Sequence, residues 1–159
     1  MLVHIRTILF FLFFYTASPL ASPNIEYWTT SKGTDVYYVY SPELPMVDIQ
    51  VVFDAGSIRD GNTLGIAMLT NSLLAEGADG DDADTISSGF ESLGAIYASD
   101  IGYDSASLQL RSLTQNELFT KAMENFKKVI SKPDFPKDSF ERKRSQMLIG
   151  VKAKQQSPG

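Results

Sequence analysis

The residues of this chain that carry chemistry are mostly acids, and their spacing limits what they can do. Four aspartates crowd the stretch Gly77-Ala-Asp-Gly-Asp-Asp-Ala-Asp84. A calcium loop of the EF-hand type needs oxygen ligands at alternate positions, a glycine at the sixth and a glutamate at the twelfth. Counted from Asp79, the sixth position is Asp84 and the twelfth is Phe90, so the stretch reads as a solvated turn. Asp84 or Thr85 is expected to cap the helix that follows it. Glu76 and Asp79, the nearest paired carboxylates, read as a helix end and a loop. Cysteine is absent, which excludes disulfides, thiolate zinc sites and thiol nucleophiles. The single histidine is His4, so a serine or threonine nucleophile downstream lacks the usual imidazole base. A Ser-Lys dyad stays open, because no spacing pairs one particular serine with one lysine. Walker loops and dinucleotide fingerprints are missing.

The elements that must position these groups follow from patterning. A chain of 159 residues, 43% hydrophobic and 21% charged, suits one globular domain. Residues 1–22 read as a secretory signal peptide, with His4 and Arg6 ahead of the apolar run Ile8–Ala17, too short to span a bilayer. An uncleaved anchor is the alternative. The reading implies an exported protein, periplasmic or secreted, with no membrane attachment after cleavage and a domain over 23–159. The formal charge is −5, and loss of Arg6 with the leader makes it more acidic, which argues against a nucleic-acid footprint.

Glu26–Thr30 and Val36–Tyr40, around the turn Ser31–Thr34, predict a hairpin. Val47, Ile49, Val51 and Phe53 alternate with polar residues and predict a strand with one covered face. A helix over Thr85–Leu93 and strands over Ala95–Ser99 and Ser105–Leu113 come next. Asn116–Ser131 predicts an amphipathic helix whose stripe is Leu118, Phe119, Ala122, Met123, Phe126, Val129 and Ile130. A last helix begins at Lys137 or Asp138 and runs to about Gln156, with Phe140, Met147, Leu148 and Val151 as its expected buried side. The fold class is α+β: an antiparallel sheet of about five strands, with helices packed mainly on one face.

The chain is organised around Gly65–Ala78. Ile66, Leu69, Leu73 and Leu74 recur at helical spacing and are expected to be buried. Met68, Asn71 and Ser72 are assigned to the other face, with 68 and 72 one turn apart.

These pieces together resemble a known family. The run Val47-Asp-Ile-Gln-Val-Val-Phe-Asp-Ala-Gly-Ser57, then Gly65-Ile-Ala, then Leu73-Leu-Ala-Glu-Gly77, is similar to the N-terminal domain of the insulinase-like (M16, pitrilysin) metallopeptidases. Phe90–Ala95, Asp104–Leu110 and Phe135–Arg144 continue the likeness, which covers about residues 26–156. The family's inverted motif, His-x-x-Glu-His, sets two imidazoles on one zinc ion with a glutamate beside its water. The resemblance places that motif at Met68-Leu69-Thr70-Asn71-Ser72. It also implies a third ligand, a glutamate nine residues beyond Glu141, where this chain has Gly150.

Both histidine ligands, the carboxylate ligand and the catalytic base are thus replaced, by Met68, Ser72, Gly150 and Asn71. The resemblance therefore implies an inactive homologue with no catalytic residue, no metal and no cofactor. Its expected partner is an active M16 peptidase subunit or the remaining M16 domains, and peptides are possible ligands. Two alternatives stand beside this: a self-sufficient envelope module that binds peptides along a sheet edge, and a fragment, truncated at the C-terminus, with no function of its own.

Overall fold

The structure, a computed structural model, describes residues 23–156. The expected signal peptide lies outside the described residues. The chain divides after Leu44 into two compact units.

The first unit is a hairpin. Strands β1 (Ile25–Thr29) and β2 (Asp35–Val39) pair antiparallel, with Tyr27 opposite Tyr37. Those two rings lie 5.1 Å apart. Asp35 accepts hydrogen bonds from Tyr27 Oη at 2.9 Å and Thr29 Oγ1 at 2.7 Å. These bonds, from Thr29 and then Tyr27, hold the Asp35 carboxyl below its usual range.

The second unit is built on an antiparallel sheet in the order β3 (Met46–Phe53), β7 (Ala106–Leu113), β6 (Ile96–Ile101). Register sorts the side chains. Val51 opposes Leu108, and Leu110 lies between Ile49 and Tyr97, so these residues share the inner face. Leu108 and Leu110 are each 1% exposed. The outer face carries Asp48 opposite Arg111, joined by an exposed ion pair.

Four helices complete the unit: α1 (Ile66–Leu73), α2 (Ala83–Glu91), α3 (Asn116–Ser131) and α4 (Lys137–Gln156). Helix α3 packs on β7 and α2 packs on α3 and β6. Ala122, Phe126 and Val129 of α3 are buried, and the rest of its predicted stripe is half-buried. Tyr97 stacks on Phe90 and meets Phe126 edge-on, with centroids 5.5 and 6.2 Å away. Burial pushes its phenol up to about 12.

The α+β class stands, but the sheet has three strands. The hairpin forms its own two-stranded sheet, and the acidic stretch supplies a further two-residue pairing, β4 (Gly77–Ala78) with β5 (Asp81–Asp82). The aspartates there are only partly solvated: Asp79 pairs with Lys132 and Asp81 with Lys128. The cap of α2 is Asp82, whose Oδ1 accepts from Thr85 N at 2.8 Å; Asp84 lies inside the first turn.

The expected buried side of α4 is a larger correction. No residue of this helix is buried; Phe140, Leu148 and Val151 are exposed and Met147 is half-buried. Among the described residues the main packing of α4 is against α1, which leaves most of its surface open.

Candidate functional site

The site begins where β3 ends. After Asp54-Ala55 the chain passes against the β6–β7 turn, and Gly56, Ser57 and Ile58 donate N–H bonds to the carbonyls of Asp104, Gly102 and Tyr103. A Cβ on Gly56 would lie 2.3 Å from Tyr103 O, so only glycine fits this approach. A short 3-10 turn, Ser57–Asp60, then delivers Asp60 to the start of α1. Its buried carboxylate accepts from Gly65 N at 2.7 Å and Ala67 N at 2.9 Å, satisfying two N–H groups at the helix entrance. Gly65 takes the left-handed turn into the helix at φ +89. In the sequence Asp60 is followed by Gly61 and Asn62, residues typical of a turn. Its signal is an acid shortly before an apolar helix that lacks a neighbouring cap residue.

Helix α1 rotates differently from its predicted faces. Leu73 is buried and Leu69 and Leu74 are half-buried, but Ile66 is 48% exposed, much like Met68 at 49%. Asn71, assigned to the open face, is 6% exposed. A residue at position 71 stands about 100° around the helix from 72. That turn carries it toward the sheet, on the side of Ala67 and Leu74. Its Nδ2 donates to Asp100 O at 2.7 Å, tying α1 to the edge strand β6. Ser72, half-buried, donates from Oγ to Leu69 O at 2.8 Å on its own helix.

Gly150 lies on α4 and is exposed, and a Cβ built on it meets nothing within 4 Å. Helices α1 and α4 pack together. Glu76, just past α1, receives Lys143 Nζ at 2.8 Å and also binds Arg142. Burial opposes ionisation of Glu76, but bonds from Lys143, Arg142 and Ser139 outweigh it and hold the carboxyl below its ordinary value.

Zinc does not fit these residues. A thioether is a poor zinc donor, a neutral hydroxyl is weak and glycine has no side chain. The Asn71 amide is already engaged with a backbone carbonyl. Among the described residues, no three histidines, cysteines, aspartates or glutamates come together as a metal site.

A groove of about 350 Å³ opens between α1 and the inner face of β3 and β7, walled by Phe53, Ala67, Leu74, Ala106, Leu108 and Ile130. Asn71 also lines it, and the Asn71 Oδ1 has no hydrogen-bond partner among the described residues.

An antiparallel sheet with helices on its inner face, an Ala-Gly-Ser corner and paired helices α1 and α4 define the class: an α+β domain of the peptidase M16 type. The sequence matches the family model for insulinase (peptidase family M16) over residues 35–158, and the chain belongs to that family. Among solved structures, it is similar to a peptidase M16 inactive domain from Pseudomonas fluorescens, with 43% identity and a TM-score of 0.83. That match covers 86% of this chain and 33% of the other, so the chain spans about a third of that relative's length. The periplasmic protease PqqL from Escherichia coli shares the fold at TM-score 0.72 and 18% identity, over 86% of this chain and 16% of that one. Pitrilysin does so at 0.68 and 17%, over 86% and 14%. A search of curated proteins finds no match.

Proposed function

We propose that this chain is a non-catalytic M16 homologue that serves as partner or peptide-binding subunit of an active zinc peptidase. The observation that carries this reading is Asn71. At the position that the resemblance gives to the catalytic glutamate stands a neutral amide, engaged with the Asp100 carbonyl on the edge strand. It has no basic lone pair to take a proton from water. Met68, Ser72 and Gly150 stand at the ligand positions and supply no donor set for zinc. The likeness to a domain described as inactive supports the same reading.

Peptide binding has its own support in β6, which among the described residues pairs with β7 on one side only. An unpaired strand edge can take an extended peptide by main-chain hydrogen bonds. Export belongs to the proposal too. It rests on the apolar run Ile8–Ala17 and on a shared fold with a periplasmic protease. No helix among the described residues is long and apolar enough to cross a membrane.

Two measurements test the reading. Purified protein is expected to hold far less than one zinc per chain by elemental analysis and to show no chelator-sensitive peptide cleavage; stoichiometric zinc with chelator-reversible activity would sink it. A companion His-x-x-Glu-His peptidase is expected to need this chain for full activity, and an unchanged rate without it would favour independent peptide binding. Combining Met68→His, Asn71→Glu, Ser72→His and Gly150→Glu is expected to give partial metal uptake without turnover. Glutamate at 71 loses the bond to Asp100 O, and the groups that orient ligands and substrate are not restored with the ligands.

A further inference from the structure

Helix α4 is fixed at its start by backbone pairing and along its length mainly by charge. The connector ahead of it is held firmly. Asp79 N donates to Lys132 O at 3.0 Å, Asp134 N to Gly77 O at 2.8 Å, and Gly80 N to Asp134 Oδ2 at 2.9 Å. Beyond the connector the grip is slight. Ser139, Lys143 and Met147, each one turn from the next, are half-buried, and every other residue of α4 is exposed. The apolar member of that row is Met147, whose Cε lies 3.5 Å from the place a Cβ on Gly65 would take. The polar grip is stronger: Glu76, its side chain largely covered, receives Lys143 Nζ at 2.8 Å and also binds Arg142.

Between connector and helix stands Phe135, at φ +49. A bulky side chain disfavours that left-handed region, and a residue before proline is pushed toward extended backbone. Phe135 meets both objections, since Pro136 follows it. Such conformations persist only where the surroundings hold them, and they gather at switch segments. Here Asp134 is tied to β4 on one side of Phe135. On the other side Pro136 rests against Gly77, where a Cβ would come within 2.7 Å of the proline ring.

We infer that α4 opens from α1 as a unit of its own, with Glu76 as its catch and Phe135 as its joint, while the sheet, α2 and α3 stay folded. Elements with few buried apolar contacts open locally, at lower free energy than the core. Helix α3 buries Ala122, Phe126 and Val129, and α4 buries nothing. Opening lets Phe135 return to extended backbone, so strain favours release and the two cations on Glu76 oppose it. The opened form bares Glu76 and the surface of α1 beside Gly65. The inference uses the packing of this chain alone and stands whether or not the chain has an M16 companion.

Residue-resolved amide exchange of the full chain, followed by NMR at constant pH, tests it. In wild type, amides from Phe140 to Met147 are expected to share one opening free energy and to be roughly 10-fold or more less protected than those of Ala122, Phe126 and Val129. Raising the salt to about 1 M, where the Debye length is about 3 Å, is expected to speed exchange in α4. Glu76→Gln is expected to speed it about 5- to 30-fold, with α3 still the slower set. Phe135→Asn keeps the left-handed turn at lower strain and is expected to slow it about 2- to 10-fold. Protection that climbs steadily from Gln156 back to Phe140 would mean fraying from the end, and equal protection in α4 and α3 would mean that the unit opens only as a whole; either overturns the inference. So would an α4 indifferent to salt and to Glu76→Gln, or one that opens faster in Phe135→Asn. Where a variant does not fold, the wild-type pattern and its salt response decide.

Discussion

Helices α3 and α4 both carry apolar residues in the same unit, and those residues have opposite fates. Helix α3 lays Ala122, Phe126 and Val129 on the sheet, where each is at most 2% exposed. Helix α4 is longer, spanning Lys137–Gln156, yet buries no residue, and Ile149 is 67% exposed. Apolar periodicity states which face a helix would bury; it does not say that a surface waits to receive it. The difference lies in neighbours: α3 has β7 and α2 against it, and α4 has α1.

The largest effect separating the two helices is expected from truncating their apolar residues. Phe126→Ala should cost about 3–5 kcal/mol in denaturant unfolding, because it opens a cavity beneath β7. Leu148→Ala should change stability by less than about 0.5 kcal/mol, as for other exposed positions. Comparable losses at both would mean that α4 is covered in solution.

The tie between α1 and α4 gives the next effect. Glu76 has a side chain only 12% exposed, but Arg142 is half exposed, so solvent screening keeps the pair weaker than a buried one. Glu76→Gln should cost about 1–2 kcal/mol at neutral pH, the scale of one charge-assisted hydrogen bond after screening. The pH dependence has a fixed sign. The folded carboxyl titrates below its ordinary value of 4.5, so its contribution is complete above that value and disappears as pH falls through the folded pKa. The stability gap between wild type and Glu76→Gln should therefore be flat above about pH 5 and close in acid. A gap that widens in acid would show that the Glu76 carboxyl is raised instead.

Much of this comparison was legible in the sequence, and the exceptions share a cause. Val47, Ile49 and Val51 alternate because β3 has one covered face, and the stripe of α3 marks the core because a sheet lies beneath it. Both are local patterns answered by near neighbours. Asn71 was placed on the wrong face of α1 because apolar spacing assigns polar residues outward. Its burial depends on one backbone carbonyl, Asp100 O, from a distant stretch of chain. Ile66 failed in the opposite sense, as an apolar residue facing the groove mouth with no partner. The five-strand expectation counted strands correctly in kind but could not tell which of them share a sheet, since pairing is non-local. The role of Asp60 was hidden because its carboxylate reaches forward across a turn to Gly65 and Ala67.

The smallest effect concerns the two faces of the sheet. Asp48 and Arg111 sit directly opposite on the outer face, and the hydrogen bond from Arg111 holds the Asp48 carboxyl below its usual range. Their side chains are 66% and 52% exposed, so water and salt already supply most of what the pair gives each partner. Asp48→Asn is therefore expected to shift stability by no more than about 0.5 kcal/mol, and raising the salt concentration should shrink even that. Leu108→Ala, three residues along β7 on the inner face, should cost several-fold more, because its loss leaves a void under α3 rather than a solvated gap. Denaturant unfolding of the two variants side by side makes the contrast measurable. A salt-insensitive loss at Asp48 as large as that at Leu108 would show that the outer face is covered in solution.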